Sequence, residues 1–455
     1  MTRFDPAGPL RGSLRPPSDK SISHRAALIA AMGDGETTIS GYLDAGDTRS
    51  TLNAVEALGA EVGNAAATVA APVSEDLAAA KTAAGAGPAL FVRGVGLRGA
   101  TSAGIDVGNA GTLLRLLPGW LAGQEGGRWT LDGDESIRRR PIDRIVAPLR
   151  EMGADLSARE ERLPPLEVRG EQLHGVSYEL PVASAQVKSC LLFAGLLAEG
   201  ETRVIEPLPT RDHTERMLAA AGAEIASQAL GGEEGAGARV VSVQPCERLE
   251  PGEIVIPADI SSAAFFVVAA LLVGGSAIAL EEVGINPTRT GLLRILERMG
   301  AEIEVEPTGE RGGEPTGTLR VRSAPLRATD VAGAEIPLAI DELPLVALAA
   351  CFAEGTTTIR DAAELRRKES DRIATVAEAL NALGGTVEAT EDGMAIEGGG
   401  GLRGGTIHSH GDHRIAMLGA IAGRASREGV EVEGMDAAAV SYPGFEADLT
   451  SLSRA

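Results

Sequence analysis

Lysine is nearly missing from this chain. Of its 42 basic residues only Lys20, Lys81, Lys188 and Lys368 are lysines, and all the others are arginines. Cysteine is scarce too: Cys190, Cys246 and Cys351 stand far apart, which excludes a disulfide framework and a cysteine metal clip. Cys190 and Cys351 fall in apolar helical runs and are expected to be buried thiols in a reduced, cytoplasmic protein. Aromatics make up 3% of a chain that is 44% hydrophobic, so Ala, Leu and Val must build the core. A formal net charge of −22 excludes nucleic acid and anionic membrane as general partners. An anionic ligand must then be drawn by a local cluster of cations. An unbroken membrane-length run is also missing. MTRFDPAGPLRG has no apolar signal core. AAFFVVAALLVGGSAIAL (263–280) is interrupted by Gly274, Gly275 and Ser276, and reads as a buried helix followed by a strand.

What the chain does contain is a set of dense polar clusters in front of apolar helices. Three of the four lysines lie in them, within SDKSISHR (18–25), SAQVKS (184–189) and RRKESDR (366–372). Lysine is a compact charge that can bind phosphate and exchange a proton, whereas arginine stays protonated. Lysines that survive in such settings point to an enzyme acting on phosphorylated substrates.

At 455 residues the chain exceeds a single core and implies at least two large domains. A pattern of apolar helix, glycine turn and short strand recurs six times. It appears as ALIAAMGDGETTI (27–39), LPGWLAGQEGGRWTL (117–131) and LLFAGLLAEGETRV (191–204). It returns as VVAALLVGGSAIAL (267–280), ALAACFAEGTTTI (347–359) and MLGAIAGRASREGVEV (417–432). Glycine just past a helix supplies a left-handed cap, and the β-branched residues that follow favour strand. A second helix follows in the first five units, as in LNAVEALGAEV (52–62) and LLRILERMGAEI (292–303), whereas the sixth has only FEADLTSLSRA. The period, roughly 75–90 residues, is longer than a solenoid unit. Each unit is therefore a small α/β module, and six of them make two domains of three. GGEEGAGA (231–238) and TGERGGEPTG (308–317) read as exposed hairpin tips.

The segments before the first helix of each unit are PPSDKS (16–21), DVGNAGT (106–112), VASAQVKS (182–189), PADISS (257–262), AIDELP (339–344) and HGDHR (410–414). Ser, Asp, Asn and Gly are natural N-caps, and helix N-termini suit phosphate and carboxylate ligands. Lys20, Ser21 and Arg25 could hold a phosphate through ammonium, hydroxyl and guanidinium together. GNAGTLLR (108–115) offers small residues that let backbone N–H groups approach a ligand. ESIRRRPI (135–142) has three consecutive arginines, of which one turned inward would suffice. Asp341 and Glu342 in IDELP stand at a helix mouth, where capping is the plain alternative to catalysis. In RRKESDR, the spacing predicts Lys368, Glu369 and Arg372 within one helical turn, with Lys368 and Arg372 on one face; an exposed ion-pair helix is the competing reading. His408, His410 and His413 lack a supporting carboxylate framework, so no metal is expected there. Arg414 is the expected working group.

Taken together, these motifs resemble the 5-enolpyruvylshikimate-3-phosphate synthase family over nearly the whole chain and in order. RDHTE (211–215), SAQVK (184–188) and NPTR (286–289) resemble markers of its class II bacterial subgroup. The resemblance implies an α/β (α+β) fold, a two-domain inside-out α/β barrel of six repeats. One domain would comprise 1–19 and 256–455, the other 20–255, with the active site in the cleft between them. It implies transfer of enolpyruvyl from phosphoenolpyruvate to the 5-hydroxyl of shikimate 3-phosphate, by addition and elimination, with no metal or organic cofactor. Lys20, Asp341 and Glu369 would be catalytic: Lys20 in proton transfer, Asp341 as base toward the hydroxyl, and Glu369 at the methylene carbon. Lys20, Ser21, Arg25, Ser184, Ala185, Gln186, Arg211, Asp341 and Lys368 would hold shikimate 3-phosphate. Lys20, Gly111, Arg140, Gln186, Arg372 and Arg414 would hold phosphoenolpyruvate. The resemblance further implies a place in chorismate and aromatic amino acid biosynthesis, and a cytoplasmic protein, expected to be a monomer.

Two departures stand out. Many family members carry a lysine shortly before the final aromatic–Pro pair, where AVSYPGF has Val440, so one cation is missing or supplied elsewhere. Subgroup members often begin the first motif with Gly-Asp-Lys, where this chain has Ser18-Asp19-Lys20, a change expected to affect the cap only. In the family, alanine at the position of Gly111 crowds the herbicide glyphosate, which occupies the phosphoenolpyruvate site, so Gly111 implies sensitivity. The nearest alternative is the sister UDP-N-acetylglucosamine enolpyruvyl transferase, which commonly uses a loop cysteine in its first large domain. Cys190 and Cys246 do not offer one. A catalytically dead anion-binding protein would be expected to lose Lys20, Asp341 or Glu369, and all three are present.

Overall fold

The computed structural model describes residues 1–65, 89–230 and 237–453. Lys81 and residues 231–236 of the expected tip at GGEEGAGA lie outside them. The contacts divide the chain into two compact units. The first comprises Met1–Pro17, Pro257–Gly309 and Pro315–Ala455; the second comprises Ser18–Ile256 with Glu310–Glu314.

Each unit holds three small sheets. In the second, the strand orders are 253–255, 36–40, 90–93, 61–64; then 103–106, 128–132, 163–169, 155–159; then 177–179, 202–206, 239–243, 225–229. In every sheet the first pair is parallel and the remaining ladders are antiparallel. A parallel pair needs a crossover, and an apolar helix supplies it, as Gly111–Ala122 does between Ala103–Asp106 and Arg128–Asp132. The first unit repeats the plan in two four-stranded sheets and one three-stranded sheet. The first strand of each leading repeat comes from a distant part of the chain. Arg11–Leu14 pairs in parallel with Ala277–Gly284, and Glu253–Val255 with Glu36–Ser40.

The crossover helices are apolar almost all round because they are buried almost all round. Lys20–Met32, Gly111–Ala122 and Ala185–Gly195 belong to one core, and Ile260–Leu272, Leu343–Ala350 and His413–Ala425 to the other. Gly119 shows how closely they approach: a Cβ there would lie 2.0 Å from the Cys190 carbonyl oxygen. The stretch 263–280 is a buried helix and a strand, and Cys190 and Cys351 are buried. No helix among the described residues is long and apolar enough to cross a membrane.

Two expectations need correction. The hairpin Glu302–Arg311 and Glu314–Arg322 is exposed at 308–310 and 312–313, but the exposure ends at Glu314, which is 1% exposed with its carboxylate 2.7 Å from His213 Nδ1. Lys368 and Arg372 do not share a helical face. A 3-10 turn ends at Arg367, Lys368 is extended, and helix Arg372–Ala382 starts only after Asp371, whose side chain accepts from Ala374 N.

Candidate active site

In the second unit, Lys20 begins its helix under the Asp19 cap, with the Asp19 carboxylate accepting from Ile22 N. Its ammonium lies 3.0 Å from Asp47 Oδ2. Asp47, in the first turn of Gly46–Ala57, was not marked by the sequence pattern, since nothing local distinguishes it from a helix-start acid. One helical turn on, Arg25 is buried. Its Nη1 donates to Ser21 O, its Nε to Thr214 Oγ1 and its Nη2 to Ser189 Oγ, at 3.0, 2.7 and 2.9 Å. Burial, and then the neighbouring charge of Arg211, lower its guanidinium to about 10. It remains charged at neutral pH.

Helix Ala185–Gly195 carries this group toward a second one. Ser184 caps it, accepting from Val187 N, and Ala185 and Gln186 form its first turn. Gln186 donates to Thr112 Oγ1 at 3.3 Å and accepts from Arg115 Nη1 at 3.2 Å. Arg115 went unassigned in the sequence although it closes GNAGTLLR; its burial beside Gly111 is a tertiary fact. Gly111 starts its own helix, and a Cβ there would stand 2.8 Å from Arg140 Nη1 and 3.1 Å from Arg115 Nη1. Among the three arginines of ESIRRRPI, Arg138 pairs with Asp132 and Arg139 with Glu135 at the surface, while Arg140 is buried and donates to Asn109 and Ser136.

Lys188 has another role. It is fully buried, 2.9 Å from Glu206 and 2.6 Å from Glu215, and these carboxylates outweigh the cost of burial and raise its pKa. Each residue of RDHTE after Arg211 and Asp212 is likewise engaged: His213 with Glu314, Thr214 with Arg25, Glu215 with Lys188. Asp212, His213 and Glu314 offer ligand atoms within 4.8 Å of one another, but the His213–Glu314 and Asp212–Arg216 pairs already account for the arrangement.

In the first unit, Asp341 collects the expected residues. Its Oδ1 lies 2.9 Å from Lys368 Nζ and 3.5 Å from Arg372 Nη1. Arg372 also binds Glu369 at 2.6 Å and Asp412 at 2.8 Å. Burial opposes its charge, but Asp412, Glu369 and Asp341 outweigh that and raise its pKa further above the ordinary range. Asp412 caps Arg414 N, and Arg414 in turn donates to Asp341 O at 3.0 Å. Glu342 is the N-cap residue of Leu343–Ala350, but its side chain makes no capping hydrogen bond. With Glu342 3.5 Å from Arg414 Nη1, four carboxylates, Asp341, Glu342, Glu369 and Asp412, thus stand against three cations, Lys368, Arg372 and Arg414. Arg289 of NPTR reaches Asp259, the cap of Ile260–Leu272. Val440 is half-buried at the end of a 3-10 turn and brings no charge. His408 pairs with Glu433 and His410 with Glu378, separate from His413.

Residues 4–449 match the family described as EPSP synthase (3-phosphoshikimate 1-carboxyvinyltransferase). The chain belongs to the EPSP synthase family. A relative named 3-phosphoshikimate 1-carboxyvinyltransferase from Alkalilimnicola ehrlichii is 50% identical over 446 residues, covering 97% of this chain and 93% of that protein. One of the same name from Thermus thermophilus is 48% identical over 455 residues, covering 100% and 99%. Among solved structures, EPSP synthase from Acinetobacter baumannii superposes with a TM-score of 0.81 at 39% identity, covering 99% of this chain and 97% of that one. The enolpyruvyl transferase NikO from Streptomyces tendae, at 16% identity and a TM-score of 0.74, shares the fold.

Proposed function

We propose that this enzyme transfers the enolpyruvyl group of phosphoenolpyruvate to the 5-hydroxyl of shikimate 3-phosphate, releasing phosphate. The observation that carries the reading is Asp341, one carboxylate held by both Lys368 and Arg372, with Glu369 on the same guanidinium. Asp341 takes the proton of the 5-hydroxyl as its oxygen adds to C2 of phosphoenolpyruvate, while Glu369 gives a proton to C3. The result is a tetrahedral ketal that still carries phosphate. Removal of a C3 proton then re-forms the double bond, and phosphate leaves with the electron pair of its C2–O bond. Lys20, paired with Asp47, neutralises the departing phosphate and exchanges a proton with it.

Ser21, Arg25, Ser184, Ala185, Gln186, Arg211 and Lys368 hold shikimate 3-phosphate on this reading. Gly111, Arg140, Gln186, Arg372 and Arg414 hold phosphoenolpyruvate. RDHTE, SAQVK and NPTR support the class II subgroup, and a cytoplasmic monomer is the expected form. The test is phosphate release from phosphoenolpyruvate in the presence of EDTA, with and without shikimate 3-phosphate. Release that requires shikimate 3-phosphate and is lost in Lys20→Arg supports the assignment; release with UDP-N-acetylglucosamine alone overturns it.

A further inference from the structure

Adjacent carboxylates at the start of helix Leu343–Ala350 serve different neighbours. Asp341 faces Lys368 and Arg372, whereas Glu342, 2% exposed, accepts from Ser261 Oγ. A carboxylate this deeply buried is costly unless donors satisfy it. The second donor is Arg414 Nη1, 3.5 Å from Glu342 Oε1. Ser261, itself 3% exposed, closes the triangle, since its oxygen accepts from Arg414 Nη2 at 2.6 Å. Arg414 Nη1 is also fixed by the Asp341 carbonyl at 3.0 Å. Both Nη groups are thus gripped from within the protein, while Nε–H and a further N–H remain for an anion.

We propose that Glu342, acting through Ser261, is the positioning residue that orients Arg414 for phosphoenolpyruvate. This rests on the reading that Arg414 engages that substrate. The chemistry follows from geometry. A guanidinium on a long side chain has many rotamers, and bidentate recognition of a carboxylate or phosphate needs one of them. The hydroxyl of Ser261 can accept from Arg414 only in the orientation in which its own proton goes to Glu342. The buried carboxylate therefore sets the direction of the hydroxyl, and the hydroxyl sets the fork. Because Asp341 and Glu342 are neighbours in sequence, the same helix start fixes the catalytic carboxylate and the anion-binding arginine.

The test compares steady-state kinetics of the wild type with Glu342→Gln, Ser261→Ala, Ser261→Thr and Arg414→Lys, with shikimate 3-phosphate affinity measured separately by calorimetry. The expected result for Glu342→Gln is a KM for phosphoenolpyruvate raised about tenfold, with shikimate 3-phosphate affinity within about twofold of wild type, since only one substrate's fork is released. Ser261→Ala should behave alike, and Ser261→Thr, which keeps the hydroxyl, should recover most of the loss; this pair decides the matter should Glu342→Gln fold poorly. An unchanged phosphoenolpyruvate KM in Glu342→Gln and Ser261→Ala, or equal losses for both substrates, overturns the proposal. Arg414→Lys with normal phosphoenolpyruvate KM, or a wild type that does not turn over, overturns instead the reading beneath it and this proposal with it.

Discussion

Lys188 Nζ lies 2.6 Å from Glu215 Oε1, joining SAQVK to RDHTE inside the protein. The two motifs also meet at Thr214 and Ser189, whose hydroxyls are 2.6 Å apart and both accept from Arg25. The lysine therefore supports from behind the group around Arg25 that is proposed to bind shikimate 3-phosphate. Removing one partner of a buried ion pair leaves uncompensated charge, so Lys188→Met should cost about 3–5 kcal/mol. Urea denaturation measures it. Near-normal stability with a selective loss of shikimate 3-phosphate affinity would mean that Lys188 touches substrate after all.

Gly111 is packed against two guanidinium groups. Alanine there must displace Arg140 or Arg115, whose Nη1 atoms would stand 2.8 and 3.1 Å from the new methyl group. Gly111→Ala should raise the KM for phosphoenolpyruvate and weaken inhibition by glyphosate, each by at least ~10-fold, or about 1.4 kcal/mol. The unaltered enzyme should be sensitive; inhibition constants far above the phosphoenolpyruvate KM would contradict this.

Glu369 and Asp341 share Arg372, and the proposed mechanism gives them different tasks. Glu369→Gln keeps a polar partner for the guanidinium and removes the proton donor, so kcat should fall by about 10²–10⁴ with shikimate 3-phosphate affinity nearly intact. Asp341→Asn should lose kcat and also weaken shikimate 3-phosphate, because Lys368 loses its charge partner. Equal effects of both variants on affinity would argue against separate roles.

His24 makes acid stability measurable. Its ring is buried, with Nδ1 2.6 Å from Thr51 Oγ1, and burial lowers its pKa to about 3. Above the unfolded value of about 6.5 both states are neutral and the residue contributes no pH dependence. As pH falls from there toward 3, the unfolded chain takes up a proton that the folded one refuses. Folding stability therefore drops by up to about 1.4 kcal/mol per pH unit from this group. His24→Gln should flatten that limb in denaturant titrations between pH 6 and 4; identical slopes would place the acid sensitivity elsewhere.

The amino-acid order by itself determined the repeats. Helix, glycine turn and strand are encoded within a dozen residues, so the six modules and the buried helix at 263–280 were legible without coordinates. Helix starts were legible for the same reason, and Asp19, Ser184, Asp259 and Asp412 do cap theirs. Only the tertiary structure decided which cations are buried and which partners they meet. Arg138, Arg139 and Arg140 are adjacent and chemically identical, and only the packing of Arg140 against Gly111 separates them. Lys188 stands in a polar cluster like Lys20 and Lys368, but Glu206 and Glu215 enclose it. Asp341 and Lys368 are 27 residues apart, and His213 and Glu314 are 101 apart. Such partners are chosen by how whole repeats pack. A charge in a sequence reports its sign, but its role depends on what burial leaves beside it.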